Sequence, residues 1–108
     1  MDYSIVIPIY KRNEIFEECL LSIKHQTCLP KEIIIVDNNQ DENESNKLNQ
    51  IINHFEEKVD FKIIILKSTK NSSSIARNIG AKKCKTDLVA FLDSDIVLNR
   101  DYYEIILN

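Results

Sequence analysis

Four short runs of aliphatic and β-branched residues, at 3–9, 32–36, 61–66 and 88–92, are separated by stretches whose apolar residues recur at helical spacing. This alternation limits the possible folds more than any other feature. Parallel strands buried on both faces read as near-continuous apolar runs, and they need helical crossovers between them. Strand and helix alternate along the chain, and a last helix begins over 99–107. Right-handed units of this kind build an α/β fold: an open, mostly parallel sheet with flanking helices. Ligands of such sheets bind outside the carboxyl ends of the strands.

Local signals support the division. Pro8 near the end of the first run removes a ladder donor, which suits the exit of a strand. Asn13 can cap a helix whose first turns carry Glu14, Glu17 and Glu18, and Ile15, Cys19, Leu20 and Ile23 predict its buried stripe. Pro30 punctuates the connection over 27–31, and 37–42 is a polar loop. Leu48, Ile51, Ile52 and Phe55 mark a second helix. After a polar loop over 67–73, Ser73 or Ser74 can cap a third helix with Ile75, Ala76, Ile79 and Cys84 facing inward.

The run 88–92 leads directly into Asp93-Ser94-Asp95. If strand geometry continues, its period of two puts both carboxylates on one side and Ser94 on the other. Paired hard oxygen ligands suit Mg²⁺ or Mn²⁺, and they point to a metal-phosphate site. The alternative is that Asp95 or Asn99 caps the following helix.

The 108 residues, 44% hydrophobic, predict a single domain over 1–108 with one core. No run reaches the roughly 18 to 20 apolar residues that span a bilayer, and no basic segment leads into an apolar signal core, so the expected setting is cytoplasmic. Cys19, Cys28 and Cys84 have neither metal-type spacing nor an even count, and Cys19 and Cys84 read as core residues. His25 and His54 read as surface residues. Net charge is −3, yet Phe61 to Thr86 holds seven cations (Lys62, Lys67, Lys70, Arg77, Lys82, Lys83, Lys85) and no acid. Such a segment can attract phosphate, although Lys82, Lys83 and Lys85 read as a solvated helix face. Nucleic acid is disfavoured by the acidic balance and the lack of interleaved aromatic residues.

Four segments, Ser4-Ile5-Val6-Ile7-Pro8-Ile9-Tyr10, Glu32-Ile33-Ile34-Ile35-Val36-Asp37-Asn38, Ser74-Ile75-Ala76-Arg77-Asn78-Ile79-Gly80 and Ala90-Phe91-Leu92-Asp93-Ser94-Asp95, together resemble glycosyltransferase family 2 of the GT-A fold. The resemblance implies the Rossmann-like, nucleotide-binding half of a nucleotide-diphospho-sugar transferase. It further implies a nucleotide-sugar donor, usually a UDP-sugar, with Mn²⁺ or Mg²⁺ bridging its phosphates to the acids. Carried over, Pro8 and Tyr10 line the nucleotide pocket, Asp37 accepts from the uracil edge, and Arg77 approaches base or diphosphate. Asp93 contacts the ribose or metal waters, and Asp95 ligates the metal.

The chain also departs from the family. Asn39, Gln40 and Ser72 stand where glycines are frequent, and Lys11 stands where asparagine is common. Asp41 and Glu42 both remain open as the second acid of the uridine loop. Family members extend well past the metal motif to supply acceptor-binding strands and a carboxylate base. The expectation is therefore a C-terminally truncated donor-binding portion with an unknown acceptor, no base of its own and little transfer activity alone. Two alternatives remain: a non-catalytic nucleotide- or partner-binding module, and a flavodoxin-like phosphoacceptor domain, which the lack of an acidic pair after the first strand disfavours. The last strand is expected to leave an unpaired apolar edge, which predicts a homo-oligomer.

Overall fold

The computed structural model describes residues 2–11, 13–69 and 72–107, with the Asn13 side chain outside the description. The capping expected of Asn13 and any role of Lys70 therefore lie outside the described residues. Elements follow in the order β1 (Tyr3–Ile9), α1 (Asn13–Lys24), β2 (Glu32–Asp37), α2 (Glu42–Glu56), β3 (Lys62–Lys67), α3 (Ser73–Lys83), β4 (Leu88–Phe91) and α4 (Tyr102–Leu107). The four strands form one sheet in the order β3-β2-β1-β4, and every pairing is parallel. The expected α/β architecture is the observed one.

Two cores cover the two faces of the sheet. Ile5, Ile7, Ile9, Ile33 and Ile35 turn to one face and pack against Phe16, Cys19, Leu20 and Ile23 of α1 and Leu48, Ile52 and Phe55 of α2. Each fully buried aliphatic or aromatic side chain contributes about 1.5–3 kcal/mol to that layer. The α1 stripe begins at Phe16, not Ile15, which is 44% exposed. On the opposite face a smaller cluster, Val6, Ile34, Val36 and Ala76, lies under α3.

Helix α3 corrects two readings. Its N-cap is Ser72, whose side chain accepts from the Ile75 N–H, rather than Ser73 or Ser74. Its buried residues are Ala76 and Gly80, whereas Ile75 is exposed. Close approach explains the choice: a Cβ on Gly80 would overlap Val6 Cγ1 and sit 3.2 Å from Val36 Cγ2.

The run 88–92 is not a buried strand. β4 lies at the sheet edge, alternates between partly buried and exposed positions, and leaves Phe91 51% exposed. Its regular geometry ends at Phe91. Residues 94–95 form a turn in which the Ile96 N–H reaches the Asp93 carbonyl at 3.2 Å. The period-two argument for the acids therefore fails in the backbone, although Ser94 is buried and both Asp93 and Asp95 are exposed.

The start of α4 is at Tyr102, so Asp95 lies well before it, and Asn99 meets it through its backbone carbonyl. The segment is fastened to the end of α1 by the buried Gln26. Its amide donates to the Asn99 carbonyl at 2.5 Å and accepts from the Tyr103 N–H at 3.1 Å. Among the described residues no helix is long and apolar enough to cross a membrane.

Candidate functional site

β1 carries the geometry of the site. It leads through α1 to β2 on one side, whereas the chain returns through α3 to β4 on the other. The direction of strand succession therefore reverses between β1 and β4, where open α/β sheets form a ligand crevice at their carboxyl ends. Pro8 marks where the two strands separate. The Val6 carbonyl accepts from Leu92 N–H and the Ile9 carbonyl accepts from Asn38 N–H, so backbone alternation turns the Pro8 nitrogen toward β4. β4 pairs only as far as Val6, so the missing donor breaks no ladder bond there.

An open groove of about 510 Å³ follows, lined by Arg77, Phe91, Leu92, Asp93, Ile96, Leu98 and Tyr102. Its volume lies within the usual range for small-ligand sites. Arg77 reaches over from α3, and its Nη2 lies 3.3 Å from Asp93 Oδ1. Beneath the acid turn, the Cys19 thiol lies 3.9 Å from the Asp93 carbonyl. Burial, with a smaller contribution from the Asp95 charge, pushes that thiol up to about 12. At neutral pH it is a protonated core group.

On the other side of β1, Asp37 ends β2 and is buried at 3% exposure. Its Oδ1 accepts from the Asn39 N–H at 2.9 Å, and its Oδ2 lies 3.5 Å from Lys67 Nζ. Lys67 also donates to Ser45 Oγ at 2.8 Å and to the Asn39 carbonyl. The sequence marks Lys67 as one cation among seven and as the start of a polar loop, whereas it is the last residue of β3. What brings it to Asp37 is register, since the two are Cα partners across β2 and β3.

The same loop contains two buried side-chain atoms without hydrogen-bond partners, Asn38 Oδ1 and Asn39 Nδ2. Each such group costs about 1–3 kcal/mol while unmet. Asn39 Oδ1 accepts from the Lys11 N–H at 2.8 Å, and Lys11 adopts φ 58, the one left-handed non-glycine backbone among the described residues. None of Asn39, Gln40 and Ser72 takes the left-handed backbone that favours glycine. Of the two candidate second acids, Asp41 caps α2 by accepting from the Asn43 N–H at 2.9 Å, and Glu42 opens the helix.

The structure thus places Pro8, Tyr10, Asp37, Arg77, Asp93 and Asp95 along one sheet edge, with Arg77 and Asp93 in contact and Asp37 across β1 from them. Tyr10 is 39% exposed, with Lys11 Nζ 5.3 Å from its ring centroid. Among the described residues no group of three or more His, Cys, Asp or Glu side chains could hold a metal ion. Asp93 and Asp95 are the two exposed carboxylates that flank the buried Ser94 in this turn.

Residues 4–108 match the sequence profile of Glycosyl transferase family 2. The poly(ribitol-phosphate) beta-glucosyltransferase of Bacillus spizizenii is 35% identical over 100 residues, covering 88% of this chain and 15% of that protein. Chondroitin synthase of Pasteurella multocida is 32% identical over 94 residues, covering 86% of this chain and 9% of that protein. The structure of S. aureus TarS 1-349 in complex with UDP-GlcNAc aligns with a TM-score of 0.78 at 25% identity, over 99% of this chain and 30% of that one. The chain therefore spans less than a third of the length of each. The layering is that of the GT-A fold, and the profile match runs over nearly every residue: the chain belongs to glycosyl transferase family 2.

Proposed function

We propose that residues 1–108 form one nucleotide-sugar-binding domain, the donor- and metal-binding part of an inverting glycosyltransferase that uses a UDP-sugar. The observation that carries this reading is the contact of Arg77 with Asp93 in the groove beside β4, at the same carboxyl end of the sheet where β2 ends in Asp37. Similarity to a structure solved with UDP-GlcNAc supports the choice of donor.

In this reading Pro8 and the exposed Tyr10 ring line the base pocket, and the Asp37 carboxylate accepts from the imide N–H of uracil. The Arg77 guanidinium matches phosphate oxygens in geometry and charge. Asp93 takes the ribose hydroxyls or metal-bound water, and Asp95 supplies the direct carboxylate ligand. Mn²⁺ or Mg²⁺ bound there would neutralise charge on the leaving diphosphate. The acceptor hydroxyl forms the new bond to the anomeric carbon as the bond to diphosphate breaks, and its proton passes to a carboxylate base.

Thermal denaturation with UDP and Mn²⁺ tests the reading. Ligand at about 100 times its dissociation constant adds about 2.7 kcal/mol of stability. The melting temperature rises accordingly, and Asp95→Asn removes most of the rise. An unchanged melting temperature at millimolar UDP and Mn²⁺ overturns the assignment. A second copy is the partner that the edge strand β4 supports, because its outer side has no strand neighbour among the described residues. Light scattering should then give a mass above 12.6 kDa at micromolar concentration, and a monomer throughout would rule this out.

A further inference from the structure

Asp37 carries a carboxylate at a nearly closed position, and a charge taken out of water must be compensated nearby. Lys67 is the cation beside it. Its ammonium has three N–H donors, and it has three oxygen partners: Asp37 Oδ2, Ser45 Oγ and the Asn39 carbonyl. From the other side the Asn39 N–H holds Asp37 Oδ1. The carboxylate is clamped between its own loop and the neighbouring strand, while Lys67 ties that loop to α2 through Ser45.

We propose that Lys67 is a positioning residue that selects the nucleobase of the donor by holding Asp37 as a fixed acceptor. This inference rests on the reading that Asp37 meets the base. An ionised carboxylate accepts and never donates. It complements a ring N–H, such as N3–H of uracil or N1–H of guanine, and it opposes the ring-nitrogen lone pair that cytosine presents at the same place. Discrimination then comes from repulsion of the wrong base as much as from attraction of the right one. It requires a carboxylate that cannot turn away, and Lys67 supplies that restraint. The unpaired acceptor on Asn38 and the unpaired donor on Asn39 are buried in the loop so held.

The test is calorimetric titration of the whole chain with UDP, GDP and CDP in the presence of Mn²⁺, for the unmodified protein and for Lys67→Met, Lys67→Gln and Lys67→Arg. A hydrogen bond to a charged group corresponds to about ten-fold or more in affinity, so the unmodified chain should prefer UDP to CDP by about that factor. In Lys67→Met the preference falls to about unity, and Lys67→Arg restores much of it. Lys67→Gln keeps a donor for the loop without the charge, and it reports on selectivity should Lys67→Met not fold. Equal weakening of UDP and CDP, with their ratio intact, overturns the proposal and leaves the function of the site standing. No preference for UDP in the unmodified chain overturns the base-reading role of Asp37 and this proposal together.

Discussion

Arg77 Nη2 rests 3.3 Å from Asp93 Oδ1, so a helix cation already occupies one of the two acids expected to meet donor and metal. Both side chains are substantially exposed, at 40% and 65%. Such pairs contribute at most about 1 kcal/mol, and phosphate or a divalent ion can displace them. Arg77→Met should therefore change urea-denaturation stability by no more than that amount, yet abolish most of the melting-temperature rise with UDP and Mn²⁺. A variant that loses several kcal/mol while keeping its UDP response would show Arg77 to be structural.

Gly80 permits α3 to lie on β1 and β2. Alanine at a helix interior gains about 1 kcal/mol in propensity over glycine. Here its Cβ would overlap Val6 Cγ1, and overpacking costs about 1–3 kcal/mol. Gly80→Ala should destabilise the chain in urea. Val6→Ala, which removes the overlapping methyl, should recover part of the loss in a double-mutant cycle. Additive effects would show that the contact is not the cause.

Lys11 holds φ 58, a conformation that costs roughly 1–2 kcal/mol for an ordinary L-residue and less for asparagine. Lys11→Asn should raise stability by about 0.5–1 kcal/mol in urea denaturation, with the hydrogen bond from its own N–H to Asn39 retained. The β-branched Lys11→Val should lower stability. Equal stability of the two variants would refute the strain argument.

Alkaline pH should destabilise the protein in a defined window. Burial raises the Cys19 thiol from its ordinary value of 9.0 to about 12, and it also raises the hydroxyls of Tyr3 and Tyr103. The folded state therefore keeps protons that the unfolded state releases, so stability is complete below about pH 9 and falls as pH rises toward about 12. Cys19→Ala should flatten the fall in melting temperature between pH 9 and 10 relative to the unmodified chain. Rapid labelling of native Cys19 by a thiol reagent at pH 8 would contradict the burial argument.

Most of the fold was legible because parallel strands leave a strong signal: Ile5 to Ile7 and Ile33 to Val36 are buried on both faces and read as such. Phase was harder. Ile15 and Phe16 are adjacent large apolar residues, and periodicity alone cannot say which of the two faces the sheet, while at Ile75 and Ala76 close packing of α3 on the sheet favours the smaller residue. The run 88–92 read as buried because composition does not distinguish a central strand from an edge strand. Asp37, Arg77, Asp93 and Asp95 stood in recognisable segments, and the structure brings all four to one edge. Lys67 belonged to no motif. Only the register of β3 against β2 sets it beside Asp37.

The central place of β1 has a consequence for the order of assembly. Ser4 and Thr86, whose hydroxyl oxygens lie 2.6 Å apart, are 82 positions apart in sequence. At roughly 5–20 residues per second, the ribosome needs about 4–16 s after making β1 before the strand that closes its second edge emerges. Throughout that interval the buried strand β1 has one open ladder. A nascent chain of this design depends on chaperone cover or on rapid docking of β2, and synthesis rate becomes a determinant of yield.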